Sequence, residues 1–367
     1  MHPRNDTHRC RVVYFRVVDP SYPRNRRVRG WLEARGHVVV VVPPSTGSGR
    51  LRQHLLDLCR LWRAARAGDV VIVAEQYVRA TPIAALVARL RRCRLVVDGF
   101  VGVHETAVDD WGVARPGSLL ARRFRFQDRF ASRSADCVLI DTDVRADVLR
   151  AGRPRPRSVI ALPVGAPAWA VPQPERDTGG PLRVLYYGNY IPLHGIDRVI
   201  RAIACVRRDV VLTLLGDGER RPRAERLAAE LGVTDRLTFT DPVAEQRLAS
   251  VIADHDVVLG VFGTSQKAST VIANKTWQGL ACGRVVVTRR SPALAELLPI
   301  AGDQIVQVDV DAPQQLADAL DRIAGDRLAR DAAGRAAADV PHIAHELEAY
   351  VARRYAVFGA WLDGNGS

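Results

Sequence analysis

PVGAPAWAVPQPERDTGGP, residues 163–181, carries five prolines and three glycines in nineteen positions and shows little periodicity. Proline lacks the backbone donor that a helix interior or a central strand needs, and glycine is costly to order. The stretch reads as a linker. The same alternation of short β-branched runs and helical patterns lies on each side of it. Before it, VVYFRVVD (12–19), HVVVVVP (37–43), DVVIVAE (69–75), RLVVDGF (94–100) and DCVLIDT (136–142) read as strands, with helices starting near Asn25, Gly49, Thr81 and Gly117. After it come RVLYYGN (183–189), VVLTLLG (210–216), LTFTD (237–241), DVVLGVF (256–262) and VVVT (285–288), separated by helices over 195–206, 220–231, 244–253 and after Ala273. Continuous apolar strands alternating with helices predict parallel sheets covered on both faces. The expected class is therefore α/β, with two doubly wound Rossmann-like domains facing across a cleft and ligands at the C-terminal ends of the strands.

The totals agree with two domains. At 367 residues the chain exceeds one ordinary core, and 47% apolar with 25% charged residues is a globular composition. Apolar runs such as VVVVV (38–42) fall far short of the ~20 residues that span a bilayer. The start, MHPRNDTHRCRVVYFRVVD, lacks an apolar core of signal-peptide length, so a cytoplasmic protein is expected. Cys10, Cys59, Cys93, Cys137, Cys205 and Cys282 are scattered without a CxxC pair, which suggests reduced thiols and no zinc site.

The net charge is +13, and of 53 Lys and Arg residues only Lys267 and Lys275 are lysine. Arginine is dense at 24–36, 50–68, 89–94 and 121–133, all in the first half. Such runs are solvated helix faces or, because Leu, Trp and Phe are interleaved, a face for an anionic membrane surface, here the inner face of the membrane. No nucleic-acid motif accompanies them, so no nucleic-acid partner is expected.

Residues 182–203 (LRVLYYGNYIPLHGIDRVIRAI), 212–243, DVVLGVFG (256–263) and WQGLACGRVVVT (277–288) resemble, in order and spacing, the C-terminal domain of glycosyltransferase family 4. YPRNRRVRGWLEARGHVV (22–39) and DRFASRSADCVLIDT (128–142) resemble its first domain more weakly. The resemblance implies a GT-B fold and transfer of a sugar, with retention, from a nucleotide-diphosphate sugar to an acceptor, either a lipid-linked surface-glycan precursor or a small molecule. It implies an acceptor-binding domain over 1–165, the linker over 166–181, a nucleotide-sugar-binding domain over 182–344 and a helix over 345–367 crossing back to the first domain. Along that helix Leu347, Tyr350, Val351, Tyr355, Phe358 and Leu362 recur at steps of three and four as one apolar face, after a preceding helix ended by Pro341.

The residues themselves support an anion site. Gly188, closing YYGN, has no Cβ to keep backbone amides from phosphate oxygens, and Asn189 follows it. The GDG turn at 216–218 lacks the full dinucleotide fingerprint, since Arg221 holds its last position, and Gly216 is read as bordering the nucleoside. A helix starting at Asn274 offers free N–H groups and a positive dipole end, and Lys275 in its first turn is disfavoured unless an anion is near. Lys267, Lys275, Asn274 and His194 are thus the expected diphosphate ligands, and no metal or other cofactor is needed if these cations suffice. Val243 and Gln278 are placed at the nucleoside.

Departures from the family pattern leave rivals open. Asn189 and His194 stand where the family has arginine and lysine; Val271 and Gln278 replace its two glutamates. In the first domain Asp98 falls where a histidine usually sits near the donor sugar. Asp98, His104 and Glu105 are the catalytic candidates, with Arg24 and Asn25 on the acceptor or donor side. A catalytically lapsed sugar-nucleotide-binding protein and a GT-B sugar-nucleotide epimerase remain alternatives.

Overall fold

The computed structural model describes residues 9–47, 49–153, 155–174, 180–333 and 340–364, with 329–333 by backbone alone. The chain divides into two compact units, Met1–Val164 with Val351–Ser367, and Gly165–Tyr350.

The first unit alternates β1 (Arg11–Phe15), α1 (Pro23–Ala34), β2 (Val38–Val42), α2 (Arg50–Ala64), β3 (Val70–Val73), α3 (Thr81–Arg91), β4 (Arg94–Asp98), α4 (Leu119–Ser134), β5 (Cys137–Ile140), α5 (Asp143–Ala151) and β6 (Val159–Ala161). All pairings are parallel, in the order β2-β1-β3-β4-β5-β6. The centre of the sheet is apolar on both faces: Val12, Val13, Val71 and Ile72 are wholly buried. Local chemistry sets the helix starts. Pro23 opens α1, Ser118 Oγ accepts from Ala121 N at 3.2 Å ahead of α4, and Thr142 Oγ1 accepts from Arg145 N at 3.4 Å ahead of α5.

The second unit runs β7 (Leu182–Tyr187), α6 (Ile196–Ile203), β8 (Val210–Leu215), α7 (Arg221–Glu230), β9 (Leu237–Thr240), α8 (Leu248–Ala253), β10 (Val257–Leu259), α9 (Asn274–Ala281), β11 (Val285–Arg289), α10 (Leu298–Ala301), β12 (Ile305–Val308), α11 (Pro313–Ala333) and α12 (Val340–Leu362). Its sheet is also parallel, in the order β12-β11-β10-β7-β8-β9. Each unit is a Rossmann-like parallel sheet flanked by helices.

Three features differ from the sequence reading. The edge strands β6 and β12 escape it, because three residues in one and the half-exposed IVQV of the other carry no continuous apolar run. The proline-rich stretch is partly built into the second unit: Trp169 Nε1 donates to Glu245 at 2.7 Å, Gln173 N to the Cys282 carbonyl at 3.3 Å, and Arg284 to the Pro174 carbonyl at 2.7 Å. Pro341 lies in the first turn of α12, where a missing N–H costs nothing, rather than closing a preceding helix.

From Val351 onward α12 belongs to the first unit. Tyr355 and Phe358 set their rings 5.4 and 5.8 Å from that of Trp31 on α1, and Arg94 donates to the Leu362 carbonyl at 2.6 Å. Tyr350 packs instead on Trp277, with ring centroids 6.2 Å apart, and donates to Glu296. Phe358 is fully buried, so Phe358→Ala should cost about 3–5 kcal/mol. Urea denaturation of the full chain should show a transition moved to lower denaturant. An unchanged profile would mean that the end of α12 does not stabilise the first unit.

Candidate functional site

Strand order reverses between β7 and β10, where doubly wound sheets open a crevice at the carboxyl ends of the strands. β7 ends there in Tyr186, Tyr187 and Gly188. Gly188 has φ +127°, and its N–H donates to the Leu215 carbonyl at 3.0 Å. A Cβ built on Gly216, itself at φ +144°, would lie 2.1 Å from the Gly188 carbonyl oxygen, and one on Gly218 would lie 2.8 Å from Tyr190 N. The two turns therefore pack backbone to backbone, and only glycine fits between them. Gly195 is held in the same way, since its Cβ would meet Phe262 C and O at 2.4 Å.

Lys275 enters this crevice from the first turn of α9. It is 5% exposed, and its Nζ lies 4.1 Å from the centre of the Tyr186 ring and 3.6 Å from where a Gly188 Cβ would stand. Among the described residues no hydrogen-bond acceptor meets that nitrogen. Ring faces attract a cation but replace only part of its lost hydration. Burial consequently pulls the Lys275 ammonium down to about 7. His194 stands opposite. Its Nδ1 lies 2.5 Å from the Asn189 carbonyl and 2.7 Å from the Tyr186 hydroxyl, and its Cε1 is 3.6 Å from the Gly188 Cβ position. Burial first and the Lys275 charge second push the imidazole well below its ordinary value, so it is neutral at physiological pH. The N-cap Ala273 offers no side chain to α9. Its carbonyl takes the Thr276 amide at 2.9 Å, and the Asn274 and Lys275 amides ahead of that bond are the ones a helix start leaves to a ligand or to water.

Of the residues expected at the diphosphate, Gly188, Asn189, His194 and Lys275 thus converge, with Asn274 half-buried as the first residue of α9. Lys267 lies half-buried on the turn that precedes it. Gln278, expected at the nucleoside, is buried, and its carbonyl accepts from the Tyr187 hydroxyl at 2.7 Å. Its side chain therefore braces the end of β7. Gly216 closes the neighbouring turn, and Val243 is half-buried ahead of the 3-10 turn Glu245–Arg247. Tyr186 escaped the sequence reading, although an aromatic pair directly before the strand-end glycine is a visible signal.

In the first unit the order turns at β1, and buried polar groups gather beyond β1, β3 and β4. Arg24 Nε and Nη2 donate to Asp98 at 2.8 and 3.2 Å, with Nη1 on the Leu162 carbonyl; both side chains are wholly buried. Asp98 is therefore saturated by Arg24, which places it as a positioning carboxylate beneath the strand ends. Asn25 donates to the Asp19 carbonyl at 2.9 Å and to Glu75 at 3.3 Å. Glu75, unnoticed at the end of DVVIVAE, is buried with Oε2 unpartnered; burial and the nearby Asp98 charge push its carboxyl up to about 7. His104 Nδ1 is 3.7 Å from Asp109, and Nε2 is 3.2 Å from Arg125. Glu105 opens a π-helical segment (Glu105–Asp110) and is ion-paired with Arg145, which also holds Asp141 at 2.7 Å. Such segments are frequent at functional sites.

The displaced titration of Lys275 has a definite pH consequence. In the unfolded chain lysine titrates near 10.4, so between about 7 and 10.4 the unfolded state holds the extra proton and stability rises with pH. Below about pH 7 the folded protein bears the full cost of a buried ammonium. Lys275→Met should therefore stabilise the ligand-free protein by on the order of 4–5 kcal/mol near pH 6, the cost of a titration moved from near 10.4 to about 7, and by far less near pH 11. Thermal denaturation across that range tests this; a variant less stable than the parent at pH 6 would refute it.

Residues 181–326 match the family described as "Glycosyl transferases group 1". A D-inositol 3-phosphate glycosyltransferase of Xylanimonas cellulosilytica is 34% identical over 163 residues, 42% of this chain and 37% of that protein. The matched segment is thus well under half of that relative's length. Among solved structures, sucrose-phosphate synthase of Thermosynechococcus elongatus superposes with TM-score 0.69 at 18% identity, covering 97% of this chain and all of the other. Anabaena HepE in complex with UDP and glucose superposes with TM-score 0.68 at 15% identity, covering 96% of this chain and 100% of the other. Among the described residues no helix is long and apolar enough to cross a membrane. The family match is confined to residues 181–326 within the second unit, whereas the likeness to solved glycosyltransferase structures, a likeness of GT-B fold, runs through nearly the whole chain.

Proposed function

We propose that the protein transfers a sugar from a nucleoside-diphosphate sugar to an acceptor hydroxyl, with retention of configuration, the first unit recognising the acceptor. The observation that carries this reading is the buried Lys275 ammonium at the Gly188 turn. A point cation held without a counter-ion is an unfavourable ground state that a diphosphate relieves. Departure of the nucleoside diphosphate is the difficult step of such a transfer, because negative charge develops on the leaving phosphate. In this reading Lys275 and the Asn274 and Lys275 amides at the start of α9 stabilise that charge, while Gly188, lacking a Cβ, leaves room for the phosphate beside them. In this reading Lys267 adds a second cation, and the charge is met without a metal ion. Neutral His194, fixed through Nδ1, orders the turn around the phosphates.

UDP sugars are the first donors to test, since the HepE structure holds UDP and glucose. The acceptor is either lipid-linked or a small molecule.

A second reading has one observation in its favour. Gln278 is engaged by Tyr187, and the family's first glutamate is Val271, so the usual carboxylates are missing from the donor site. A protein that binds sugar nucleotide without turnover would look the same. Release of UDP from its sugar conjugates, measured with and without candidate acceptors, separates transfer from binding alone and from acceptor-free epimerisation.

Lys275→Ala should weaken UDP binding ten- to a hundredfold, about 1.5–3 kcal/mol for a charge-assisted contact, while uridine binding changes little. Equal losses for UDP and uridine, measured by calorimetry, would show that Lys275 does not meet the phosphates.

A further inference from the structure

Three helices of the first unit share one face of its sheet. The chain moves from β2 past β1 to β3, then to β4 and β5, always in one direction, and right-handed crossovers put α2, α3 and α4 on the same side. α3 accordingly packs against both α2 and α4. α1, which connects in the opposite direction, takes the other face together with the end of α12.

The outer surface of α2–α4 is unlike that of a solvated helix layer. Large apolar side chains project from it: Leu51 is 74% exposed, Leu119 83% and Phe126 67%, joined by Leu55, Trp62 and Leu90. Between them stand exposed arginines, among them Arg52, Arg63, Arg89, Arg122 and Arg129. Acidic residues do not balance them. Within the three helices the sequence has only Asp57 and Asp128. Asp57 is fully buried, ion-paired with Arg16 at 2.8 Å and accepting from Ser45 N at 2.8 Å. Asp128 is turned to the Val103 and His104 amides at 3.0 and 2.8 Å. Both carboxylates serve the interior, so arginine and hydrocarbon share the outside. A groove of about 700 Å³ opens between α3 and α4, with Leu86 and Phe130 beside Arg89 and Arg133; at its end Arg157 is paired with Asp136 at 2.6 Å.

We infer that the α2–α3–α4 face docks on an anionic lipid bilayer, its leucines and Phe126 entering the headgroup boundary and its arginines pairing with lipid phosphates. Arginine alone would suit a nucleic-acid backbone equally well, but leucine and phenylalanine at this exposure gain nothing from phosphates. At a bilayer interface they leave water. Arginine interleaved with aromatic and aliphatic side chains is the composition of interfacial segments. The face does not include Lys275 or the crevice between β7 and β10.

The full chain should sediment with phosphatidylglycerol–phosphatidylcholine vesicles at low salt, far less with phosphatidylcholine alone, and detach from the anionic vesicles as salt rises. Replacing Arg122, Arg123 and Arg129 with Gln should lower partitioning roughly fivefold per arginine removed. Leu119→Asp with Phe126→Asp should abolish it even at low salt. Far-UV circular dichroism and a thermal transition like the parent's serve as the folding control, because both report on the first unit, where these residues lie. Equal sedimentation with both vesicle types, none with either, or unaltered partitioning of the Leu119/Phe126 variant would overturn the inference. So would displacement from anionic vesicles by stoichiometric duplex DNA, which would assign the face to nucleic acid. A variant that keeps the parent's circular dichroism spectrum and thermal transition yet stays in solution with anionic vesicles supports it.

Discussion

An ammonium group held out of water with no carboxylate beside it organises the second unit. Lys275 has the Tyr186 ring beneath it, Gly188 beside it and His194 across from it. Each neighbour withholds what a lysine would ordinarily require. A ring face is a weak substitute for water, the imidazole is driven neutral, and the helix end that carries the lysine opposes a cation. Natural cores avoid such groups unless function maintains them, because an unpaired buried charge lowers stability directly. The instability is local and can be cancelled by a ligand carrying the opposite charge.

The glycines around it follow from the same need for close approach. Gly188, Gly216 and Gly218 let two strand-end turns meet at a spacing that excludes any Cβ, and Gly195 brings the His194 turn onto the Phe262 backbone. These contacts place β7, β8 and the segment beyond β10 around one point. Tyr187 and Gln278 lock the end of β7 to α9 from below, so that the helix carrying Lys275 is fixed to the strand carrying Gly188. Glutamine in that position performs a bracing role that a charged glutamate beside a buried tyrosine could perform only at a desolvation cost.

In the first unit the corresponding position is filled by a buried network rather than an unpaired cation. Arg24 and Asp98 neutralise one another and tie the start of α1 to the end of β4. Glu75 beside them keeps one oxygen unpartnered and a raised affinity for its proton. Around the outside, the division of labour among carboxylates gives the helical face its character. Asp57 and Asp128 are drawn inward to hold an arginine and backbone amides, and the surface they vacate is left to arginine and hydrocarbon.

The sequence by itself determined the periodic features. Continuous Val-rich runs alternating with helical patterns specify parallel sheets wherever they occur, and the proline-rich break at 163–181 separates two such series. The scarcity of lysine, concentrated at Lys267 and Lys275, singled out the segment in which Lys275 lies buried against Tyr186. Short or half-exposed edge strands such as β6 and β12 were illegible, since their pairing depends on a neighbour far along the chain. The same limit hid the roles of single polar residues. Asp98 reads as a cleft carboxylate from its place after β4, yet the fold saturates it with Arg24, seventy-four positions away. Gln278 reads as a ligand, yet Tyr187 claims it; Glu75 carried no local sign of the Asp98 charge it would meet. A residue type and its spacing define what a side chain can bind, but desolvation and partner geometry decide what it does bind, and only tertiary structure supplies those.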